Sequence, residues 1–227
     1  MKANIHEIFV SIQGEGLYAG QKQIFVRFAG CNLGCAYCDE PAAGSTGKLT
    51  ALSGIKKKIK QMAFKERVRA VSLTGGEPLL QPAALKELAL YARSLGLKTH
   101  LETNGVCYRE LAGLVTAIDV VAADIKLPGL SGKVLWAEHK KFLSLAPEKT
   151  FVKIVVTSKT TLAEIKRGAD LAASVDAGMP FFIQPVTPIG LLEPPSIAQL
   201  AAFYRSSVLR LEDVRILPQM HKLWGIK

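Results

Sequence analysis

Nowhere does this chain carry an uninterrupted apolar run long enough to span a bilayer. Its amino terminus, Met1–Val10, alternates polar and apolar as a strand does, so no signal peptide is expected there. Cysteine is scarce: four residues in 227, three of them bunched. That argues against a secreted disulfide scaffold and for a metal site in a reducing cytoplasm. Acidic residues are outnumbered, 19 against 29 basic, giving a formal net charge of +10. A surplus of this size suits a nucleic acid or an anionic substrate. The densest run, Lys56-Lys57-Lys58-Ile59-Lys60, has no aromatics interleaved with it. With Ile55, Ile59 and Met62 on one helical face, it reads as the solvated side of a helix, and no direct nucleic-acid contact is expected. Repeats and linkers are absent too. At 49% apolar residues the chain is expected to bury one sizeable core as a single domain, 1–227.

What is present is a regular alternation. Ile5–Ile12 and Gln23–Phe28 read as strands, and Ala51–Arg67 as a helix. From there strands at Ala70–Thr74, Lys98–Glu102, Asp119–Asp124, Phe151–Thr157, Pro180–Gln184 and Val214–Leu217 alternate with helices. The helices are expected at Pro82–Leu95, near Tyr108–Val115, around Lys133–Leu145, after a capping box at Thr161 and Glu164, and near Ser196–Ser206. Such alternation implies parallel strands with crossover connections. About six units are too few to close an eight-stranded barrel, so the fold class is α/β, a partial (β/α)6 barrel. Ligands collect where loops leave the carboxyl ends of such strands. Polar motifs lie there: Thr74-Gly75-Gly76-Glu77-Pro78, Glu102-Thr103-Asn104-Gly105, Asp124-Ile125-Lys126 and Gln184-Pro185.

The bunched cysteines are Cys31, Cys35 and Cys38, in Cys-Asn-Leu-Gly-Cys-Ala-Tyr-Cys. No fourth ligand sits in register, and structural zinc normally takes four protein ligands. Thiolates also hold iron–sulfur clusters, and a cubane held by three leaves one iron open. Gly30 and Gly34 suit an irregular loop around such a core. The remaining thiol, Cys107, stands apart and is expected to be a small half-buried side chain.

This spacing resembles the cluster motif of the radical S-adenosylmethionine enzymes, in which the open iron binds the cofactor and an electron cleaves it to a 5′-deoxyadenosyl radical. In those enzymes a Gly-Gly-Glu segment like Gly75-Gly76-Glu77 receives the methionine amino group, the glycines letting a ligand lie against backbone and Glu77 accepting from the ammonium. The resemblance narrows over Phe9-Val-Ser-Ile-Gln-Gly-Glu-Gly16, Phe25-Val-Arg-Phe-Ala-Gly-Cys-Asn-Leu33, Leu73–Gln81, Leu101–Gly105 and Leu217-Pro-Gln-Met-His-Lys-Leu-Trp-Gly225. These segments look like the 7-carboxy-7-deazaguanine synthase family.

That resemblance implies a [4Fe–4S] cluster on Cys31, Cys35 and Cys38, S-adenosylmethionine, Mg²⁺ and a homodimer fed by an electron donor such as flavodoxin or ferredoxin. It implies conversion of 6-carboxy-tetrahydropterin to 7-carboxy-7-deazaguanine, an early step toward queuosine: hydrogen is removed beside the carboxylate, the ring contracts, ammonia leaves, and S-adenosylmethionine is re-formed. Ile12, Gln13, Gly14, Arg27 and Thr74 correspond to substrate contacts; a guanidinium fork matches a carboxylate. Tyr37, Cys38, Asp39, Gly76, Glu77, Asp124, Ile125, Lys126 and Gln184 correspond to the S-adenosylmethionine side. Glu102 is read there as a ribose contact, or more plainly as the partner of a lysine. Where the family commonly has a threonine that helps hold Mg²⁺, this chain has Glu40, itself a good hard ligand. His221 and Lys222 match the terminal segment, as catalytic or capping residues.

Two other readings stand beside this one. An activase that installs a glycyl radical on a partner protein would share the cysteine spacing, a Gly-Gly-Glu-Pro segment and an Asp-x-Lys segment. A basic RNA-binding module with a structural metal would hold zinc and no iron.

Overall fold

The computed structural model describes residues 1–226, the side chain at position 42 aside. Nine strands, β1 (Lys2–Ile12), β2 (Lys22–Phe28), β3 (Lys48–Ala51), β4 (Ala70–Gly75), β5 (Lys98–Thr103), β6 (Val120–Asp124), β7 (Thr150–Val156), β8 (Phe181–Pro185) and β9 (Val214–Ile216), form one sheet. Its order is β3-β1-β2-β4-β5-β6-β7-β8-β9, and it ends at β3 and β9 without closing. Strands β2 and β4 to β9 run parallel. Strand β1 lies antiparallel to both β2 and β3 at one edge. The expected open α/β barrel is the observed architecture, widened by this antiparallel margin.

The helices are α1 (Pro41–Ser45), α2 (Leu52–Glu66), α3 (Pro82–Ser94), α4 (Tyr108–Ala112), α5 (Pro128–Ser131), α6 (Trp136–Leu143), α7 (Leu162–Ala173), α8 (Ile197–Ser207) and α9 (Met220–Leu223). The capping box that opens α7 is in place: Glu164 N–H donates to Thr161 Oγ1 at 3.2 Å and Thr161 N–H donates to Glu164 Oε2 at 3.0 Å. Ser196 and Gln199 cap α8 in the same way. Each such cap stabilises its helix by about 1 kcal/mol.

Because side chains alternate across a strand, each inner strand has an apolar row and a mixed row. Val71, Leu73, Leu101, Val121, Val152, Ile154, Phe181 and Ile183 face outward and pack on Ile55, Ile59, Leu85, Leu88, Ile165 and Ala169 of the helices, in the main core. The opposite row turns into the barrel. At its base lie Val120, Ala122, Phe151 and Phe182. Toward its top the same alternation turns Thr74, Glu102, Asp124, Lys153 and Gln184 inward, and all five line a single cavity. The lysine run falls on the outside of α2, with Ile55 and Ile59 buried beneath it, as a solvated face.

Several elements differ from expectation, the short α9 among them. Helix α1 and strand β3 fall within residues 41–51, a stretch that up to Thr50 is rich in small and polar residues. Three of the four β3 residues are exposed, so this edge strand has no buried face to leave a pattern. The helix expected around Lys133–Leu145 is α6, and a short helix that was not expected, α5, precedes it. Gly132, at φ 68°, ends α5 in the left-handed region.

Candidate active site

The loop between β2 and α1 carries Cys31, Cys35 and Cys38, and all three line the cavity, whose volume is about 640 Å³. Gly30 enters this loop at φ 98°, a conformation that favours glycine. Backbone bonds fix the loop on two sides: Ala36 N–H donates to Leu130 O at 3.2 Å, and Gly30 N–H donates to Ala43 O at 2.8 Å. Burial pushes the Cys35 and Cys38 thiols up, while the Lys126 ammonium pulls both down. Three cysteines of one loop, near enough to feel one another's charge and lining one open cavity, fit a cluster that keeps one metal corner toward the cavity. Cys107 is half-buried against the core, receives Asn32 Nδ2–H at 3.7 Å, and has a thiol pushed up by burial to about 12.

The glycine pair works differently from expectation. Gly75 and Gly76 do line the cavity, but the room left by their missing side chains is filled by protein. A Cβ on Gly75 would fall on the Phe28 backbone, and one on Gly76 on the Gly30 carbonyl. Gly76 N–H donates to Phe28 O at 3.0 Å and Glu77 N–H to Gly30 O at 2.7 Å. The pair therefore lets the β4 loop lie against the root of the cysteine loop. In Gly76→Ala the added carbon forces these loops apart. Overpacking of this kind costs about 1–3 kcal/mol, and iron content per chain after anaerobic reconstitution is expected to fall alongside the melting temperature. Wild-type iron loading in that variant would contradict this account.

Glu77 is likewise corrected. It is fully buried and accepts from Leu79 N–H at 3.0 Å, Thr103 Oγ1–H at 2.9 Å and Asn104 N–H at 2.8 Å. Burial pushes its carboxyl up to about 7 against the pull of these donors. It ties the β4 and β5 loops together and does not line the cavity. Ile125 also points elsewhere, into the main core.

The remaining expected residues share the cavity. Gln13 Nε2–H donates to Glu102 Oε1 at 2.7 Å, and Glu102 also accepts from Ser72 Oγ–H at 2.6 Å and Thr74 Oγ1–H at 3.0 Å. Glu102 thus has three neutral donors where a lysine was the plainer expectation. Arg27 Nε donates to Glu7 Oε1 at 3.0 Å, and its NH2 nitrogen lies 3.4 Å from Glu40 Oε1. His6, Glu7 and Glu40 offer ligand atoms within 4.8 Å of one another. Lys126 Nζ lies 2.8 Å from Asp124 Oδ2 and 5.0 Å from the centre of the Tyr37 ring. Asp124 Oδ1, though buried, has no hydrogen-bond partner among the described residues. An acceptor left open on the cavity wall beside Tyr37 is what a ligand hydroxyl would fill.

Several participants were not expected. Glu15 pairs with Lys153 and accepts from Gln184 Nε2–H at 3.2 Å and Gln219 Nε2–H at 2.8 Å. Burial alone would raise the Glu15 carboxyl; the Lys153 ammonium and the Gln219 amide more than offset it and hold it at about 2. Gln219 also donates to Asp39 Oδ2 at 3.1 Å and accepts from Thr187 Oγ1–H at 2.6 Å. The terminal segment closes on the first glycine turn, where Met220 N–H donates to Gly14 O at 3.0 Å. A Cβ on Gly14 would fall on His221. His139 Nε2 accepts from Lys126 N–H at 3.1 Å while Nδ1–H donates to Gly105 O at 3.0 Å, which fixes a neutral tautomer under the Asp124–Lys126 turn. Burial keeps that imidazole down at about 4.

Comparison with known proteins follows the same outline. Residues 25–175 match the model of the Radical SAM superfamily. Over 98% of its length the chain is 35% identical to a 7-carboxy-7-deazaguanine synthase of Geobacter sulfurreducens, covering 97% of that protein. It is 34% identical to a 7-carboxy-7-deazaguanine synthase of Methanopyrus kandleri, over 97% of this chain and 92% of that one. Among solved structures, that of QueE from Escherichia coli superposes with a TM-score of 0.66 at 20% identity, covering 97% of this chain and 95% of that one. A radical SAM methyltransferase from Sphaerobacter thermophilus gives 0.67 at 13% identity, over 93% and 77% of the two chains. The last two likenesses establish the fold.

Proposed function

The chain belongs to the 7-carboxy-7-deazaguanine synthase family of radical S-adenosylmethionine enzymes, and from that premise we propose the reaction and the residues that serve it. It is an enzyme of a small-molecule substrate, which sets aside the reading as a non-enzymatic RNA-binding module. The proposed reaction takes 6-carboxy-5,6,7,8-tetrahydropterin to 7-carboxy-7-deazaguanine with loss of ammonia, in deazapurine biosynthesis. One observation carries this reading. The three cysteines and the residues matching the family's substrate contacts, Ile12, Gln13, Gly14, Arg27 and Thr74, line one cavity.

In this reading Cys31, Cys35 and Cys38 hold the [4Fe–4S] cluster, and Tyr37, Asp39, Gly76, Asp124, Lys126 and Gln184 flank S-adenosylmethionine. The cluster and S-adenosylmethionine together supply an organic radical that removes a substrate hydrogen. The chain's own work is placement and exclusion of water. Asp124 offers its open Oδ1 to a ribose hydroxyl, and Lys126, held by Asp124, covers Tyr37 at the cysteine end. Arg27 takes the substrate carboxylate, and Gln13 and Thr74, both fixed on Glu102, present the wall beside it. Glu77 positions these loops without touching a ligand.

Mg²⁺ is assigned to Glu40. Its carboxylate lines the cavity beside Arg27, and Glu7 lies close enough to share a cation. Glu40→Thr is expected to retain turnover within roughly tenfold, because a partly exposed ion pair contributes about 1 kcal/mol or less, and to change the Mg²⁺ concentration required. Complete loss would show a role for Glu40 that the threonine of the family does not have. A homodimer, a flavodoxin or ferredoxin electron donor, a cytoplasmic setting and a single domain complete the proposal. Four free thiols support the reducing compartment. Among the described residues no helix is long and apolar enough to cross a membrane.

The deciding experiment is anaerobic incubation of reconstituted protein with carboxytetrahydropterin, S-adenosylmethionine and dithionite, followed by mass spectrometry. Appearance of 7-carboxy-7-deazaguanine is expected, and its absence would remove the assignment.

A further inference from the structure

Two histidines are buried, His100 and His139, and they differ in one respect. His139 has both ring nitrogens engaged, as described. His100 is 2% exposed, yet neither of its ring nitrogens has a hydrogen-bond partner among the described residues. A polar group buried without a partner costs about 1–3 kcal/mol, and native proteins seldom tolerate one without a use. Two residues before Glu102 on β5, His100 turns to the same inner face and lines the cavity. The charged groups of Glu102, Lys153 and Glu15 lie near it, but none of them hydrogen-bonds to the ring. The rings of Tyr18 and Phe151 lie 5.5 and 5.8 Å from it. Ser72, its register partner on β4, donates to Glu102 instead.

We propose that His100 is a substrate-recognition residue, taking the polar edge of the substrate's fused ring at the floor of the cavity. This rests on the pterin reading above. A neutral imidazole has one donor and one acceptor, and burial holds this one below its ordinary value, in the neutral form. The floor beside it includes the apolar side chains of Phe151 and Ala122. A planar heterocycle with alternating donors and acceptors on its rim suits that surface. The aminopyrimidinone edge of a pterin is such a rim. The cysteines, Tyr37 and Lys126 belong to the cofactor wall, so the floor is left to the second ligand.

The test uses cluster-loaded protein under anaerobic conditions, comparing His100→Phe and His100→Gln with the wild type. Calorimetry gives the Kd of carboxytetrahydropterin with S-adenosylmethionine present, and the Kd of S-adenosylmethionine alone. His100→Phe is expected to weaken pterin binding about tenfold or more, leave S-adenosylmethionine affinity within about twofold, and melt no lower than the wild type. An apolar ring in a site with no protein partner removes a penalty without removing a bond. His100→Gln, which keeps a donor and an acceptor, should restore most of the affinity. Should the phenylalanine variant fail to fold, His100→Ala carries the same comparison. Pterin binding in His100→Phe equal to wild type overturns the proposal and leaves the proposed function standing. So does a joint loss of S-adenosylmethionine affinity and melting temperature, which would mark a framework residue. A wild type that binds S-adenosylmethionine but no pterin would bring down the proposed substrate and this role with it.

Discussion

Alanine at Cys31, Cys35 or Cys38 is expected to abolish both iron–sulfur absorption and turnover, each change alone being sufficient. The three sulfurs stand on one loop against one wall, and nothing nearby replaces them. Cys107 is the only other cysteine; it does not line the cavity, and its thiol, facing Asn32, is kept protonated by burial. Changes to groups that merely orient a metal ligand already cost roughly 10–100-fold in affinity or activity, so losing a ligand outright should leave only background. Cys107→Ala is the control and should keep full iron content. Iron quantitation and the S-adenosylmethionine cleavage assay on the four variants settle the assignment. Cluster loss in Cys107→Ala, or retention in any of the other three, would overturn it.

The second large effect is expected at Lys153→Met. This ammonium lies between Glu15 and Asp124, 3.5 Å from Asp124 Oδ2, with 16% of its side chain exposed. Burial opposes its charge, but the two carboxylates more than compensate and hold its pKa above the ordinary lysine value. Removing one partner of a buried pair leaves the other uncompensated, at about 3–5 kcal/mol when burial is complete. With this much exposure about 3 kcal/mol is expected, or a melting temperature lower by roughly 6–12 °C for a chain of this size. The pH dependence carries the sign. Glu15 is depressed from 4.5 to about 2, so its contribution is present above about 4.5 and is lost as pH falls through that range toward 2. Lys153, raised, contributes below its ordinary value and loses that contribution only in strong alkali. Thermal melts from neutral to acid pH should show the wild type losing its advantage over Lys153→Met as Glu15 protonates. Parallel curves at every pH would show that the pair contributes nothing.

How far the sequence disclosed this differs by layer. Strands β4 to β9 and helices α2, α3, α7 and α8 were legible because each buries one face and keeps its period. Strand β3 was not, having no buried face. The cysteine loop and the strand-end motifs were readable because their residue types sit at fixed spacings. Glu15 and Lys153 form the central ion pair of the cavity, and only Lys153 left a trace: one charge inside the apolar run Phe151-Val-Lys-Ile-Val-Val. Its partner is 138 positions away, and no local pattern encodes that distance. Glu77 was misread for a related reason. The sequence shows a carboxylate after two glycines, whereas its buried donors, Thr103 and Asn104, come from a different strand end.

The seam where Gln219 and Met220 meet Gly14 and Glu15 joins Met220 to Gly14 and Gln219 to Glu15, a pair 204 positions apart. The entropy lost on joining two points of a chain rises with the logarithm of their separation, so this junction is among the dearest the fold makes and depends on the rest already standing. A molecule with one contact at Gly14 and another at His221 would act as a clasp, its binding energy adding to the seam's own free energy of closing.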